Sequence, residues 1–290
     1  MKRKNNWQWR LLSPGSKAFV IASYTIILVI TLIVLLPLLY VLQVTFSSDT
    51  AYTFRLWPKN FTFMHYETVF ETGLIIRPLL NSVFVTGVSV VISMVLTVMM
   101  AYPLSRTDLV GRSKLNFIVM LPMMISLGFL PGYMLIQDLG LMNSYWALIL
   151  PGAIVTNNVI IMRNFFGTIP KSLIESAQLD GAGEMRILFG IVVPLSKPSI
   201  ATISMFYLVS NWNEYFNVIL YIRERSRQTL QVVLRQIVME NENMEGITGG
   251  IYATNIQYTV VVIAMIPILL VYPFVQRYFT KGIMMGSVKG

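Results

Sequence analysis

A chain of 290 residues that is 55% hydrophobic and only 12% charged carries about half the charge of an average soluble domain, and its mean hydropathy is +0.66. The absence of cysteine excludes disulfides, thiolate metal sites and thiol nucleophiles together. The net charge of +9 would point to nucleic acid in a soluble protein. In a membrane chain it is better explained by uneven placement of Lys and Arg across the bilayer, and no nucleic-acid partner is expected.

The N-terminal MKRKNNWQWR is basic with two tryptophans, which suits an interfacial anchor on the cytoplasmic side. Ala18–Ser48 is the first of six predicted spans, all helical because lipid offers no partner to unpaired backbone groups. Its apolar run is too long for a cleavable signal peptide, and no small-x-small cleavage site follows. A polar, aromatic outer connector comes next, too long for a simple turn. It holds the lone histidine, His65, read as a surface or packing residue because no second histidine is present to share a metal.

Pro78–Ser105, Leu115–Gln137 and Leu139–Met162 each supply the roughly 20 residues needed to cross a bilayer. The Ser, Thr and Gly content of the first of these suits close helix packing in lipid. RTDLVGRSK is a short inner loop, QDLGLMNSY a short outer loop, and Arg163–Gly190 the longest inner connector. The fifth span, Ile187–Asn213, is interrupted only by Lys197, close enough to one end for its ammonium to reach the headgroups. An outer connector over Asn211–Thr254 contains NWNEYF and then Leu230, Val233, Leu234, Ile237 and Val238, whose spacing predicts an amphipathic helix. Gly246–Gln276 is the sixth span. The two halves are not inverted copies, which weakens a repeat-built secondary transporter.

With both termini inside, the inner segments hold 15 of the 22 Lys and Arg but only four acids, Asp108, Glu175, Asp180 and Glu184. This satisfies the positive-inside rule and puts Arg163–Gly190 in the cytoplasm. The chain has no G-x-x-x-x-G-K-[ST] phosphate loop, so it is not expected to hydrolyse ATP itself. One histidine and no nucleophile elbow leave no catalytic triad. No catalytic or metal-ligating residue is assigned. The spans also lack the central ionisable residues by which coupled carriers work, since Lys197 and Glu214 lie near span ends. The energy source is therefore sought in a partner.

The segment TIPKSLIESAQLDGAGEMRILFGIVVPLSKPSIAT reads as two short helices. Thr168 is expected to cap a helix that starts near Pro170, and KSLIESAQL gives the helix itself. Glu175 is placed early, where a carboxylate favours the helix dipole. Gly181 is expected to end the helix by taking positive φ, and AGEMRILFG to form a second helix at an angle. One reading is a connector resting on headgroups. A lipid-facing helix would be basic on its polar face, whereas Glu175, Asp180 and Glu184 outnumber Lys171 and Arg186, which favours a protein partner.

Glu175-Ser176-Ala177, three residues, Gly181, nine residues, Ile191-x-Val193-Pro194 resembles the E-A-A-x3-G-x9-I-x-L-P signature of permease subunits in binding-protein-dependent ABC importers. The spacing agrees at every position, with Ser176 for the first Ala and Val193 for Leu as the departures. AYPLSR, LILPG, NWNEYF and the terminal KGIMMGSVKG further resemble the oligosaccharide branch, the maltose-type inner permeases. Within it they are similar to the lipoprotein-named and polygalacturonan-related subgroup of Gram-positive bacteria.

The resemblance implies an all-α polytopic membrane protein with six transmembrane helices and the type I importer permease fold. Residues 1–76 would hold the tail, first helix and outer connector, 77–277 the permease core, and 278–290 a cytoplasmic tail. A cytoplasmic coupling helix over about 170–189 would dock in an ATPase. In it Glu175, Ser176, Ala177, Asp180, Gly181 and Ala182 form the coupling surface: Glu175 meets basic or amide groups, Ala177 allows close docking, and Gly181 sets the bend that Asp180 caps or orients. The implied partners are a second, homologous permease forming a heterodimer, two ATPase subunits that bind ATP and Mg, an extracellular solute-binding protein, an oligosaccharide and membrane lipid. The chain itself holds no cofactor.

Asn211, Trp212, Asn213, Glu214 and Tyr215 carry groups that stack on and hydrogen-bond sugars, but the same residues fit an interfacial aromatic belt or a binding-protein contact. Asn157 and Asn158 either line a pathway or join helices. The function expected is import of an oligosaccharide, a plant or microbial polysaccharide fragment, across the cell membrane. A peptide, amino acid or inorganic anion in the same kind of importer, and a stand-alone carrier or channel, are the alternatives.

Overall fold

The computed structural model describes residues 13–48, 57–58, 60–125, 128–239 and 253–286, and in the last stretch the side chains of 254–273. The expected basic N-terminal anchor, much of the outer connector and the end of KGIMMGSVKG lie outside these residues. The described residues are helical apart from one isolated bridge between Ser47 and Phe61. They divide into two units, Met1–Glu71 with Asn241–Val262 and Thr72–Glu240 with Ile263–Gly290.

The first unit contains α1 (Pro14–Thr45), α2 (Met64–Glu71) and the start of α13 (Ala253–Gly286). Helix α1 opens on Ser13, whose hydroxyl accepts from the Ser16 amide at 3.3 Å. Pro14 follows in the first turn, where a missing N–H costs nothing. Phe46, Phe61, Phe63 and Tyr66 stack just beyond its far end. His65 is buried, with Nε2 2.9 Å from the Ser47 carbonyl. Asn255 Nδ2 donates to the carbonyls of Val44 and Ser47 at 3.2 and 3.1 Å. The histidine thus serves packing.

The second unit is built around α3 (Ile76–Ser105), followed by α4 (Arg112–Met124), α5 (Phe129–Asp138), α6 (Trp146–Ile149), α7 (Thr156–Phe166), α8 (Lys171–Leu179), α9 (Glu184–Leu195), α10 (Lys197–Trp212), α11 (Phe216–Tyr221) and α12 (Leu230–Met239). Ser82, Thr86, Ser89, Ser93, Thr97 and Ala101 recur every three or four residues along α3 and are buried. Small side chains let neighbouring backbones approach closely, and α3 packs chiefly against α7 and α10. Met94, Val98, Tyr102, Val159, Met162, Phe166, Ile187, Leu188, Ile203 and Tyr207 fill the core between them. Tyr207 adds polar ties: its hydroxyl lies 2.8 Å from Thr97 Oγ1 and accepts from the Val155 amide at 3.2 Å.

Among the described residues, three helices are long and apolar enough to cross a membrane, Pro14–Thr45, Ile76–Ser105 and Thr254–Pro273, or up to five if each of two bent pairs makes one crossing. Helices α4 and α5 meet at 109°, and α9 and α10 at 83°. The second bend sits at Ser196, between Pro194 and Pro198. A π-turn over Leu188–Val192 precedes it, where Pro194 lacks the N–H that would bond back to Gly190. The expected span Leu139–Met162 is not one helix. Gly140 (φ 67°) and Asn143 (φ 59°) turn the chain, α6 has four residues, and Pro151-Gly152 separates it from α7. An apolar run measures hydropathy, and Gly and Pro still break the helix inside it.

Helix α12 is amphipathic as its periodicity predicts, but its buried residues are Leu230, Val232 and Ile237, while Val238 faces outward. The Leu230 amide is received by Ser82 Oγ at 2.8 Å. Asn81 Nδ2 donates to the carbonyls of Ser226 and Gln228, both at 2.9 Å. These bonds tie the 222–229 loop to the start of α3.

Candidate functional site

The segment from Thr168 to Pro194 holds a short helix stopped at a glycine. Helix α8 covers KSLIESAQL. Its N-terminus is not capped by Thr168, whose hydroxyl donates to the Phe165 carbonyl at 2.7 Å, and the position before the helix is Pro170 with no side-chain cap. Glu175 lies in the middle of the nine residues and not in the first turn, so its charge has little leverage on the helix dipole, which acts within the terminal turns. Both corrections have one cause: Pro170 fixes an extended approach and the helix starts directly after it.

The C-terminus forms as the sequence predicts. The Ala182 amide donates to the Ala177 carbonyl at 2.9 Å and the Gly181 amide to Gln178 at 3.0 Å, the paired closure that needs a left-handed residue between. Gly181 supplies it, with φ +77°. A Cβ built there would meet nothing within 4 Å, so the glycine is required by backbone conformation and not by space.

Along α8, Ile174 and Ala177 turn inward, and with Ala182 beyond its end they rest against the core. Glu175, Ser176 and Asp180 are exposed. Among the described residues, no hydrogen bond or ion pair holds the carboxylates of Glu175 and Asp180, so Asp180 does not cap the bend through its side chain. Glu175, Ser176 and Asp180 thus present two carboxylates and a hydroxyl to the outside beside the turn at Gly181, where a lipid-facing helix would carry mostly basic residues.

The inner side of this segment is tied to the end of α3. Glu184 Oε2 accepts from the Tyr102 hydroxyl at 2.5 Å and lies 3.5 Å from Arg106, while Oε1 accepts from Gln178 Nε2 at 3.1 Å. Arg106 grips Asp108 through two bonds of 3.0 and 2.9 Å. This guanidinium is the main reason the Asp108 carboxyl drops to a pKa of about 2, and the arginine's own pKa rises in return. Lys171 Nζ donates to Thr107 Oγ1 at 2.9 Å. Tyr102, Arg106 and Thr107 lie more than sixty residues from their partners, and nothing in one sequence marks the pairing.

The other candidate residues fall elsewhere and mostly serve the chain. Asn211 and Asn213 Nδ2 donate to the carbonyls of Tyr207 and Val209, at 2.8 and 2.9 Å, satisfying the end of α10. Trp212 is buried. Glu214 Oε1 accepts from the Asn217 amide at 3.0 Å, capping α11. Tyr215 is partly open, with the Arg235 guanidinium 4.5 Å above its ring. Asn157 is exposed and Asn158 buried. NWNEYF is therefore chiefly a helix-stop and helix-start, with Tyr215 its free aromatic face. Arg223 and Arg225 nearby are exposed with no partner among the described residues, a feature the periodicity did not single out.

A core of apolar helices, several long enough to cross a membrane, with an exposed helix closed by Gly181 beside it, is the frame of a membrane protein. Residues 75–285 match the family described as binding-protein-dependent transport system inner membrane component, and the chain belongs to that family of ABC importer permeases. It is 44% identical over 284 residues to the polygalacturonan/rhamnogalacturonan transport system permease protein YtcP of Bacillus subtilis, covering 95% of this chain and 99% of that one. It is 41% identical to protein LplC of the same organism, covering 89% and 90%. Among solved structures it is similar to a chain of a bacterial ABC transporter involved in import of the acidic polysaccharide alginate, with TM-score 0.85, 32% identity, and 93% and 99% of the two chains covered.

Proposed function

We propose that this chain forms half of the translocation path of an importer that brings acidic oligosaccharides, fragments of a plant or microbial polysaccharide, into a Gram-positive cell, and that α8 is its coupling helix. The observation that carries the coupling role is the pair of exposed, unpartnered carboxylates, Glu175 and Asp180, on a helix closed rigidly by Gly181. Two of the three reported relatives are named for glycan transport or import, which favours a sugar over a peptide or amino acid. Two of them handle acidic polysaccharide, and the free Arg223 and Arg225 suit a uronate carboxylate.

The remaining architecture follows from the same reading. Six crossings put both termini in the cytoplasm, with α4–α5, α6–α7 and α9–α10 as the broken ones; the charge asymmetry supports this orientation. Residues 1–76, 77–277 and 278–290 are its tail-and-first-helix, core and C-terminal parts. A second permease completes the path, two ATPases bind ATP and Mg, and a solute-binding protein delivers the sugar. Tyr215 and Arg235 offer an aromatic and cationic contact on the delivery side.

Replacement of Gly181 by Val tests the coupling role. A non-glycine residue at φ +77° costs about 1–2 kcal/mol in left-handed strain and displaces the docking face. Substrate-stimulated ATP hydrolysis in proteoliposomes is expected to vanish while the chain still inserts. Normal stimulation would refute the role.

A further inference from the structure

We propose that Glu184 is a positioning residue that clasps the coupling segment to the end of α3, so that displacement of α8 is delivered to that helix. The inference rests on the reading of α8 as the coupling helix. One carboxylate joins three elements: Tyr102 in the last turn of α3, Arg106 just past its end, and Gln178 on α8. Asp108 holds the Arg106 guanidinium by two bonds, which favours its position beside the clasp. The bond from Lys171 to Thr107 is a second tie at the other end of α8.

The surrounding space makes this contact mechanically important. Helix α8 has no fully buried residue. On one side of the 106–108 turn lies a cleft of about 370 Å³ lined by Met99, Pro103, Leu109, Met185 and Leu188. On the other lies one of about 230 Å³ lined by Ser105, Phe166, Ile169, Ile174 and Glu175. Close-packed side chains transmit strain, and an open cleft does not. Between α8 and the end of α3, force therefore passes through the clasp together with the packing of Ile174 and Ala177 on the core. Beyond it, Ile187, Leu188 and Val192 are fully buried in the core and anchor the segment by themselves. Loss of the clasp is thus expected to loosen α8 without unfolding the chain.

The test uses the whole importer, purified through a tag on this chain with its own partner subunits. It is reconstituted with a binding protein loaded with trigalacturonate. Glu184→Ala is expected to lower sugar uptake per ATP about tenfold, the factor matching one charge-assisted hydrogen bond, with subunit composition and Tm unchanged. Glu184→Gln keeps an acceptor for Tyr102 and restores part of the ratio. Tyr102→Phe added to Glu184→Ala should do no further harm, because the two residues act as one unit. A nitroxide on a single cysteine placed at Leu179, in a chain with no other cysteine, needs no sugar and should gain mobility in Glu184→Ala. An unchanged uptake ratio or nitroxide spectrum, or losses that merely follow Tm, overturns the clasp. Gly181→Val is run alongside. If it abolishes stimulation while Glu184→Ala leaves the uptake ratio and the nitroxide spectrum unchanged, the clasp is wrong and the coupling role stands; if Gly181→Val leaves stimulation normal, the coupling role itself falls.

Discussion

Helices α1 and α3 have nearly equal length, 32 and 30 residues, and both are apolar enough to span a bilayer. None of the most apolar stretch of α1 is buried within the protein, against a third of that of α3. The hydroxyls of Ser23, Thr25 and Thr31 in α1 fold back on carbonyls four residues earlier, at 2.7 to 3.0 Å, as lone polar groups facing lipid must. In α3 the hydroxyls line one buried face and reach other helices, Ser82 to the Leu230 amide and Thr97 to Tyr207. Hydropathy makes both helices spans. The periodicity of small and hydroxyl residues separates a helix that faces outward from one that organises a core.

The sharpest way to break this contrast is to truncate one apolar side chain in each setting. Ile203, fully buried against α3, should lose about 2–5 kcal/mol on change to Ala, the cost of a buried cavity. Leu28 of α1, 59% exposed, should lose less than about 0.5 kcal/mol. Thermal unfolding in detergent would show the first Tm fall and the second stay in place. Equal shifts would mean that α1 is packed as tightly as the core.

A smaller effect is expected from Tyr207→Phe, which removes the hydroxyl shared by Thr97 and Val155. Interhelical hydrogen bonds in membranes contribute about 0.6 kcal/mol on average, so Tm should drop slightly. Thr31→Val in α1, whose bond is internal to the helix, should be neutral by the same assay.

The smallest effect is a dependence on pH. Asp108 is held at about 2 by Arg106, below the ordinary carboxylate value of about 3.9. Its folded pKa is depressed, so its contribution is present above pH 4 and is lost as pH falls toward 2. The carboxylate is largely exposed, and solvent screening limits the contribution to a few tenths of a kcal/mol. Asp108→Asn should therefore differ from the parent at pH 6 and converge with it near pH 2. Helix α1 contains no carboxylate, and its variants should show no such convergence.

Local signals mark the end of α8 correctly, while others are outweighed by a neighbouring proline or carbonyl. Gly181 ends α8 because a left-handed residue is needed within two positions of the helix end, and KSLIESAQL runs from a proline to that turn. The capping role given to Thr168 and the early position given to Glu175 failed because Pro170 sets the helix start. The apolar run Leu139–Met162 is not one helix because Pro151-Gly152 interrupts it. In NWNEYF the amides looked like sugar ligands, yet two of them satisfy carbonyls one turn earlier.

The amino-acid sequence alone determined that this is a helical membrane protein and that KSLIESAQL ends on a glycine. Hydropathy and backbone conformation are each properties of neighbouring residues. Only the tertiary structure decided that Tyr102 and Arg106 meet Glu184 across some eighty residues, that clefts flank this contact, and that among the described residues two helix pairs are bent and Leu139–Met162 is not one helix. Those features depend on how helices pack, and packing brings together residues whose separation along the chain carries no periodic mark.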